Sequence, residues 1–160
     1  MRGGAELVHS VDSSAKAIEL TKQNVELNFP NDPRHEAFCE DAFKFLEGSV
    51  ANGSAIGYNL IILDPPAFAK HRGALHNALK GYTRLNQKAF EKIEKGSILF
   101  TFSCSQVVTK DHFRNAVFTA AALAKRKVRI LHQLHQPADH PINIYHPEGE
   151  YLKGLVLYVE

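Results

Sequence analysis

YNLIILDPPAF, residues 58–68, carries the stretch that decides the fold. Leu60 to Leu63 form an unbroken apolar run between turn residues, the pattern of a short strand buried on both faces. Strand character is expected from Tyr58 to Asp64. Pro65 and Pro66 lack a backbone N–H and fix their own φ, so they cannot continue a central strand. The strand therefore stops on an acid, leaves through a stiff exit, and offers Phe68 as an aromatic surface just beyond its end.

The pattern repeats on both sides. Upstream, Glu6–Asp12 reads as a short strand, and Ser13-Ser14 can cap a helix over AKAIELTKQNVELN. RHEAFCED is a second strand ending at Asp41, followed by a short helix in AFKFLEGSVANGS that runs into a Gly/Ser/Asn turn. Downstream, a helix is expected from about Ala74 to Lys95, then the strand GSILFTFSCS ending at Cys104. A further helix runs from Thr109 to about Lys125, and the strands VRILHQLHQ and YLKGLVLYVE close the chain. Strands alternating with helices predict an open parallel sheet covered by helices. The last two strands have no helix between them, so one of them runs antiparallel. Gly3-Gly4 reads as a helix stop.

The composition fits a single globular domain: 160 residues, 44% hydrophobic and 22% charged, with a net charge of +2. That charge is too mild to mark a nucleic-acid binder by itself. Two cysteines, Cys39 and Cys104, do not make a disulfide scaffold and suit a reducing, cytoplasmic setting. No secretory segment is expected, and no apolar run approaches the roughly 18 residues of a membrane span. His132, His135 and His140 do not have zinc-site spacing.

In open α/β sheets ligands bind outside the carboxyl ends of the strands. That rule selects Asp12, Asp41, Asp64 and Cys104. Asp12 can accept both hydroxyls of a ribose or can serve its helix N-terminus. Asp41 can hold an adenine amino group, with Ala42 against the ring, or can cap a helix. The Asp64–Phe68 exit suits gripping a planar base or amine, or is simply a stiff turn over a core aromatic. Cys104 is a candidate nucleophile for carbon 6 of a pyrimidine, because a thiolate both adds and leaves readily. It could equally be a buried structural cysteine, and Cys39, inside a strand, is expected to be structural. Lys70, His71 and Arg72 can meet RNA phosphate or form an ordinary solvated loop.

VDSSAKAIELTKQNVELN, CEDAFKFL, LIILDPPAF, TFSCS and HPEGEYLKGLVLYV together resemble the class I S-adenosylmethionine-dependent methyltransferases. The nearest group is the ribosomal RNA large-subunit cytosine-5 methyltransferases of the PUA-containing type. The resemblance covers nearly the whole chain, and DPPAF followed by SCS is its most specific part. It implies an α/β, Rossmann-like methyltransferase sheet with a C-terminal antiparallel strand pair, lacking the family's first strand and Gly-rich loop. Residues 1–160 would be the C-terminal part of the catalytic domain, without the PUA domain. The absent strand would lie between those ending at Asp12 and Asp64, leaving edges that a second copy could cover as a homodimer.

The same resemblance implies S-adenosyl-L-methionine as cofactor and RNA as partner. Asp12 and Ser13 would bind the donor's ribose, Asp41 and Ala42 its adenine, and Asp64 and Pro65 its methionine end. Cys104 would be the catalytic nucleophile, and Asp64 would help to activate the base. Pro66, Phe68, Lys70 and Arg72 would meet the RNA. Two other functions stay open. Methylation of an exocyclic amine uses a related acid-Pro-Pro-aromatic motif, although there the aromatic usually follows the second proline directly and Ala67 intervenes here. The chain could also be a non-catalytic RNA- or protein-binding module.

Overall fold

A computed structural model describes residues 1–48 and 57–160. The chain forms two compact units, Met1–Ser54 and Ala55–Glu160. The Gly/Ser/Asn turn expected after Gly48 lies outside the described residues.

The first unit contains β1 (Val8–Asp12), α1 (Ala15–Asn28), β2 (His35–Cys39) and α2 (Ala42–Glu47). β1 and β2 pair in parallel, with Val8 opposite His35 and Asp12 opposite Cys39, and α1 makes the crossover. Ser14 caps α1, its Oγ accepting from the Ala17 N–H at 3.3 Å. Asp41 caps α2, its Oδ1 accepting from the N–H groups of Phe43 and Lys44 at 2.9 and 3.2 Å. Each cap satisfies helix-end donors that have no partner inside the helix. Ile18 and Leu46 are buried, and Phe38 packs on Phe45 with ring centroids 5.0 Å apart. In the loop before β2, Arg34 forks onto the Asp32 carboxylate. That contact holds the Asp32 carboxyl down at about 2. Gly4 has a φ of +88°, a left-handed conformation suited to glycine, and its N–H closes a turn onto the Met1 carbonyl at 3.1 Å.

The second unit contains β3 (Tyr58–Leu63), α3 (Leu75–Lys92), β4 (Ile93–Ser103), α4 (Lys110–Leu123), β5 (Val128–Leu134) and β6 (Lys153–Val159). Its sheet has the order β3-β4-β6-β5. β3 and β4 are parallel, whereas β6 runs antiparallel to both of its neighbours. The antiparallel strand expected at the C-terminus is therefore β6, inserted between β4 and β5.

β4 is three residues longer at its start than the sequence pattern predicts. Gly96 adopts a φ of +80° inside it, and the pairing with β3 shifts register between Tyr58 and Leu60. A glycine with positive φ lets a strand bulge and continue, so the Lys95-Gly96 pair does not break β4. Leu99, Phe90, Phe113, Leu157 and Val159 are all buried in this unit. Full burial of each such side chain contributes about 1.5–3 kcal/mol. Arg126 secures the ends of the elements: its Nη1 donates to the carbonyls of Phe90 and Ile93, each at 2.8 Å.

The described strands make two sheets, and β3 pairs with β4 alone. On β3, Ile61 and Leu63 are buried while Leu60 and Ile62 are 53% and 62% exposed. No helix among the described residues is long and apolar enough to cross a membrane.

Candidate functional site

The second unit builds a site from two adjacent strand exits. β3 and β4 run side by side in the same direction, with Leu63 opposite Thr101, so Asp64-Pro65-Pro66 and Ser103-Cys104-Ser105 leave the sheet at the same edge. Side chains then bind the two exits together. The Cys104 thiol faces the Pro65 carbonyl, with Sγ 3.9 Å from the oxygen. The Ser105 hydroxyl donates to the Ala69 carbonyl at 2.6 Å. The Ser103 hydroxyl donates to the Tyr82 phenol oxygen at 2.9 Å.

Phe68 anchors the proline exit from the other side. Its ring lies 4.6 Å, centroid to centroid, from that of Tyr82, and Tyr82 meets Phe113 edge-on at 5.4 Å. Gly81 permits that approach, because a Cβ there would come within 2.9 Å of the Phe68 ring. Phe68 is thus held against α3. The sequence left it open between a face for a base and a core aromatic, and its contacts are those of an anchor. Burial raises the Tyr82 pKa, so the phenol stays protonated as part of this scaffold.

The polarity of the edge is uneven. Ser103 and Ser105 are buried, whereas Cys104 between them is half-buried. The chain therefore clamps both neighbours of the cysteine and leaves the thiol accessible. Asp64 and Pro66 are exposed and Pro65 is half-exposed. Lys70, His71 and Arg72 are exposed just beyond, and Lys70 and Arg72 have no carboxylate partner among the described residues. The edge thus presents a thiol, an exposed carboxylate and a proline carbonyl, with cations on the following loop. That set can grip a planar, polar ring and attack it.

The first unit presents the remaining predicted residues at the carboxyl end of its own strand pair. Asp12, Ser13, Asp41 and Ala42 are all exposed there. Asp12 Oδ1 accepts from the Ser14 N–H at 2.7 Å, which makes Ser14 the helix cap and Asp12 the support of the turn before it. Asp41 is the helix cap that the sequence offered as one of its two roles, with both bonds on Oδ1. Cys39 is exposed at the end of β2, its thiol directed to the Ser13 carbonyl at 3.7 Å.

Two residues of the edge carry little signal in the sequence. Tyr82 looks like one more apolar position on α3. Lys153 opens β6 opposite Ser103 and is buried, with Nζ donating to the carbonyls of Ser105 and Tyr151 at 2.7 and 2.6 Å. Its signal was a lone lysine at the head of the apolar run GLVLYV. Burial pulls its pKa down to about 8, an effect that nearby Cys104 opposes and Lys110 reinforces.

Comparison with known proteins places this architecture. The chain is 40% identical over 159 residues to the ribosomal RNA large subunit methyltransferase I of Cronobacter sakazakii, a match spanning 99% of this chain and 40% of that protein. It matches the corresponding protein of an Enterobacter species with the same identity and coverage. The chain thus spans about two fifths of the length of the curated relatives it matches, and it is homologous to them over nearly all of its own. Among solved structures, a SAM-dependent methyltransferase described from Streptococcus mutans superposes with a TM-score of 0.79 at 22% identity, covering 97% of this chain and 39% of that one. A methyltransferase complexed with SAH gives the same TM-score at 23% identity, covering 97% of this chain and 40% of its own. No family model matches the chain. The fold is the α/β, Rossmann-like methyltransferase fold with a mixed sheet.

Proposed function

We propose that this chain is the C-terminal part of the catalytic domain of an S-adenosylmethionine-dependent methyltransferase that forms 5-methylcytosine in ribosomal RNA. The observation that carries the proposal is the accessible Cys104 thiol, clamped by buried serines and facing the rigid Pro65 carbonyl. Similarity to ribosomal RNA large subunit methyltransferases supports the substrate class.

The protein's residues divide the work. The target cytosine leaves its stack to reach the edge. Cys104 Sγ adds to carbon 6, which makes carbon 5 nucleophilic. S-adenosylmethionine supplies the methyl group that carbon 5 takes. A base then removes the carbon 5 proton, and the sulfur–carbon bond breaks to release the thiolate. The Asp64 carboxylate hydrogen-bonds the cytosine ring and favours its activated form, and the Pro65 carbonyl is an acceptor for the exocyclic amine. Pro66 bounds the base and Phe68 anchors the exit behind it, while Lys70 and Arg72 meet backbone phosphate. On the donor side, Asp12 and Ser13 take the ribose, Asp41 and Ala42 the adenine, and Asp64 and Pro65 the methionine end. An exposed carboxylate at the end of a parallel strand fits a ribose diol. With ribosomal RNA as its substrate, the protein would work in the cytoplasm.

The test uses RNA carrying 5-fluorocytosine at the target position. Fluorine cannot leave as the proton does, so the adduct is trapped. A covalent protein–RNA complex, retained in denaturing gels and mapped to Cys104 by mass spectrometry, is expected. Methylated RNA without any trapped complex would point to amine methylation, and RNA binding without methyl transfer would point to a binding module.

Strand β3 adds a second expectation: among the described residues it pairs with β4 alone, and its Leu60 and Ile62 are exposed, a surface suited to packing against another chain. We infer that a second copy covers it. Light scattering at micromolar concentration should give the mass of a dimer, and Ile62→Glu should shift it to monomer. A monomeric wild-type protein would contradict this inference.

A further inference from the structure

Lys153 is the one buried charged side chain among the described residues. An ammonium has three donors, and two of them go to the carbonyls of Ser105 and Tyr151. No carboxylate pairs with it among the described residues. A buried cation with no anion is costly, so such a group persists where an anion can form beside it. Position identifies that anion. Lys153 is the ladder partner of Ser103, and its Nζ is tied to Ser105. Its backbone and its head thus bracket Cys104.

We propose that Lys153 is the positioning residue that holds Cys104 as a thiolate, readying the sulfur before a base enters the site. This inference rests on the reading of Cys104 as the nucleophile. The step is a proton transfer. The S–H bond breaks, and its proton passes to water or, where the amine is neutral, to Nζ. Thiolate and ammonium remain as a pair. Attack on carbon 6 consumes the anion, and elimination restores it. The two carbonyl bonds orient Nζ and keep the lysine from swinging out to solvent.

Other groups act on this pair: from the exit of β3, Asp64 adds an exposed carboxylate at the same edge, and Pro65 offers the carbonyl that the thiol faces. From α4, Lys110 opposes a charge on Lys153, but it is engaged at 2.6 Å with Glu150 from the loop before β6. From α3, Tyr82 meets Ser103 and stays neutral. From the loop preceding β6, Tyr151 contributes its carbonyl. The intrinsic cost of burying the ammonium brings its pKa down to about 8, and the cysteine works against that cost.

The experiment measures alkylation of Cys104 by iodoacetamide from pH 6 to 10, read by peptide mass spectrometry, with exposed Cys39 as internal reference. Only the thiolate reacts. In Lys153→Met, Cys104 should react about tenfold more slowly at pH 7, and the midpoint of its rate profile should rise by about one pH unit. Cys39 should be unaffected. Lys153→Arg should recover most of the rate. An unchanged Cys104 profile in Lys153→Met would overturn the proposal. So would equal slowing in the Met and Arg variants, which would assign the effect to the lost carbonyl bonds. If the Met variant does not fold, the reciprocal measurement stands. The Lys153 Nζ titration, followed by 15N NMR, should have a lower midpoint in Cys104→Ala than in wild type, and identical midpoints would refute the pair. Failure of the cytosine reading is distinguishable: methylation of an amine that survives in Cys104→Ala would remove the nucleophile role and leave these titrations intact.

Discussion

Replacing Cys104 with alanine is expected to lower methyl transfer to ribosomal RNA by at least about a thousandfold, because it removes the atom that bonds to carbon 6. Without that bond, carbon 5 of cytosine is not nucleophilic enough to take a methyl group. The loss should fall on kcat, since the thiol contributes little to binding of RNA or donor. Any fall in stability should come only from the lost pairing with Lys153. The thiol is half-buried and makes one long contact to the Pro65 carbonyl, a contact weaker than an ordinary hydrogen bond. The Ser105–Ala69 and Ser103–Tyr82 bonds that clamp the two exits do not involve it. Single-turnover transfer of labelled methyl groups, with the product nucleosides separated by chromatography, gives the answer. A persisting 5-methylcytosine product in the alanine variant would mean that another group attacks the base.

The local grammar of this sequence was strong. Helix α1 occupies Ala15–Asn28, the segment its spacing and Ser14 predict, and Thr109 caps α4 through the His112 N–H at 3.1 Å. Proline pairs, apolar runs and capping residues act through neighbours a few positions away, so they are visible in one dimension. The departures have equally physical causes. Gly96 looks like a strand start because glycine weakens strands, yet its positive φ makes a bulge and β4 begins at Ile93. In the sequence, Asp12 and Asp41 alike suit a ligand acid or a cap. Asp41 is the cap, while Ser14 takes that role from Asp12 by lying two residues closer to the helix.

The supports of the thiol were not legible, because each joins distant parts of the chain. Ser103 and Tyr82 are 21 residues apart, Ser105 and Ala69 are 36, and Lys153 and Ser105 are 48. Strand order decides those meetings. β6 enters the sheet beside β4 in antiparallel sense, and only that register puts the first residue of β6 at the exit of β4. Sequence reading can mark Cys104 as reactive in type. It cannot show that the lysine of a C-terminal apolar strand is tied to the residue that follows the cysteine.

The second large effect concerns Tyr82, the buried residue that carries both exits. Tyr82→Ala should cost about 3–5 kcal/mol, the range for deleting a large aromatic from a core, and lower the melting temperature by about 10 °C or more. The side chain is fully buried. Its ring meets Phe68 and Phe113, and its hydroxyl receives the Ser103 O–H. Tyr82→Phe separates these roles. It keeps both ring contacts and removes the hydroxyl, leaving the buried Ser103 O–H without its acceptor at a cost of about 1–2 kcal/mol. The phenylalanine variant should therefore fold, with a modest fall in melting temperature. Its kcat should drop severalfold at unchanged KM, because Ser103 directly precedes the cysteine and sets its backbone. Thermal melts of both variants, paired with steady-state kinetics of Tyr82→Phe, test the division. A phenylalanine variant as unstable as the alanine one would assign the stability to the hydroxyl network instead of the ring. An unchanged kcat would show that the Ser103 bond is structural and that Cys104 keeps its position without it.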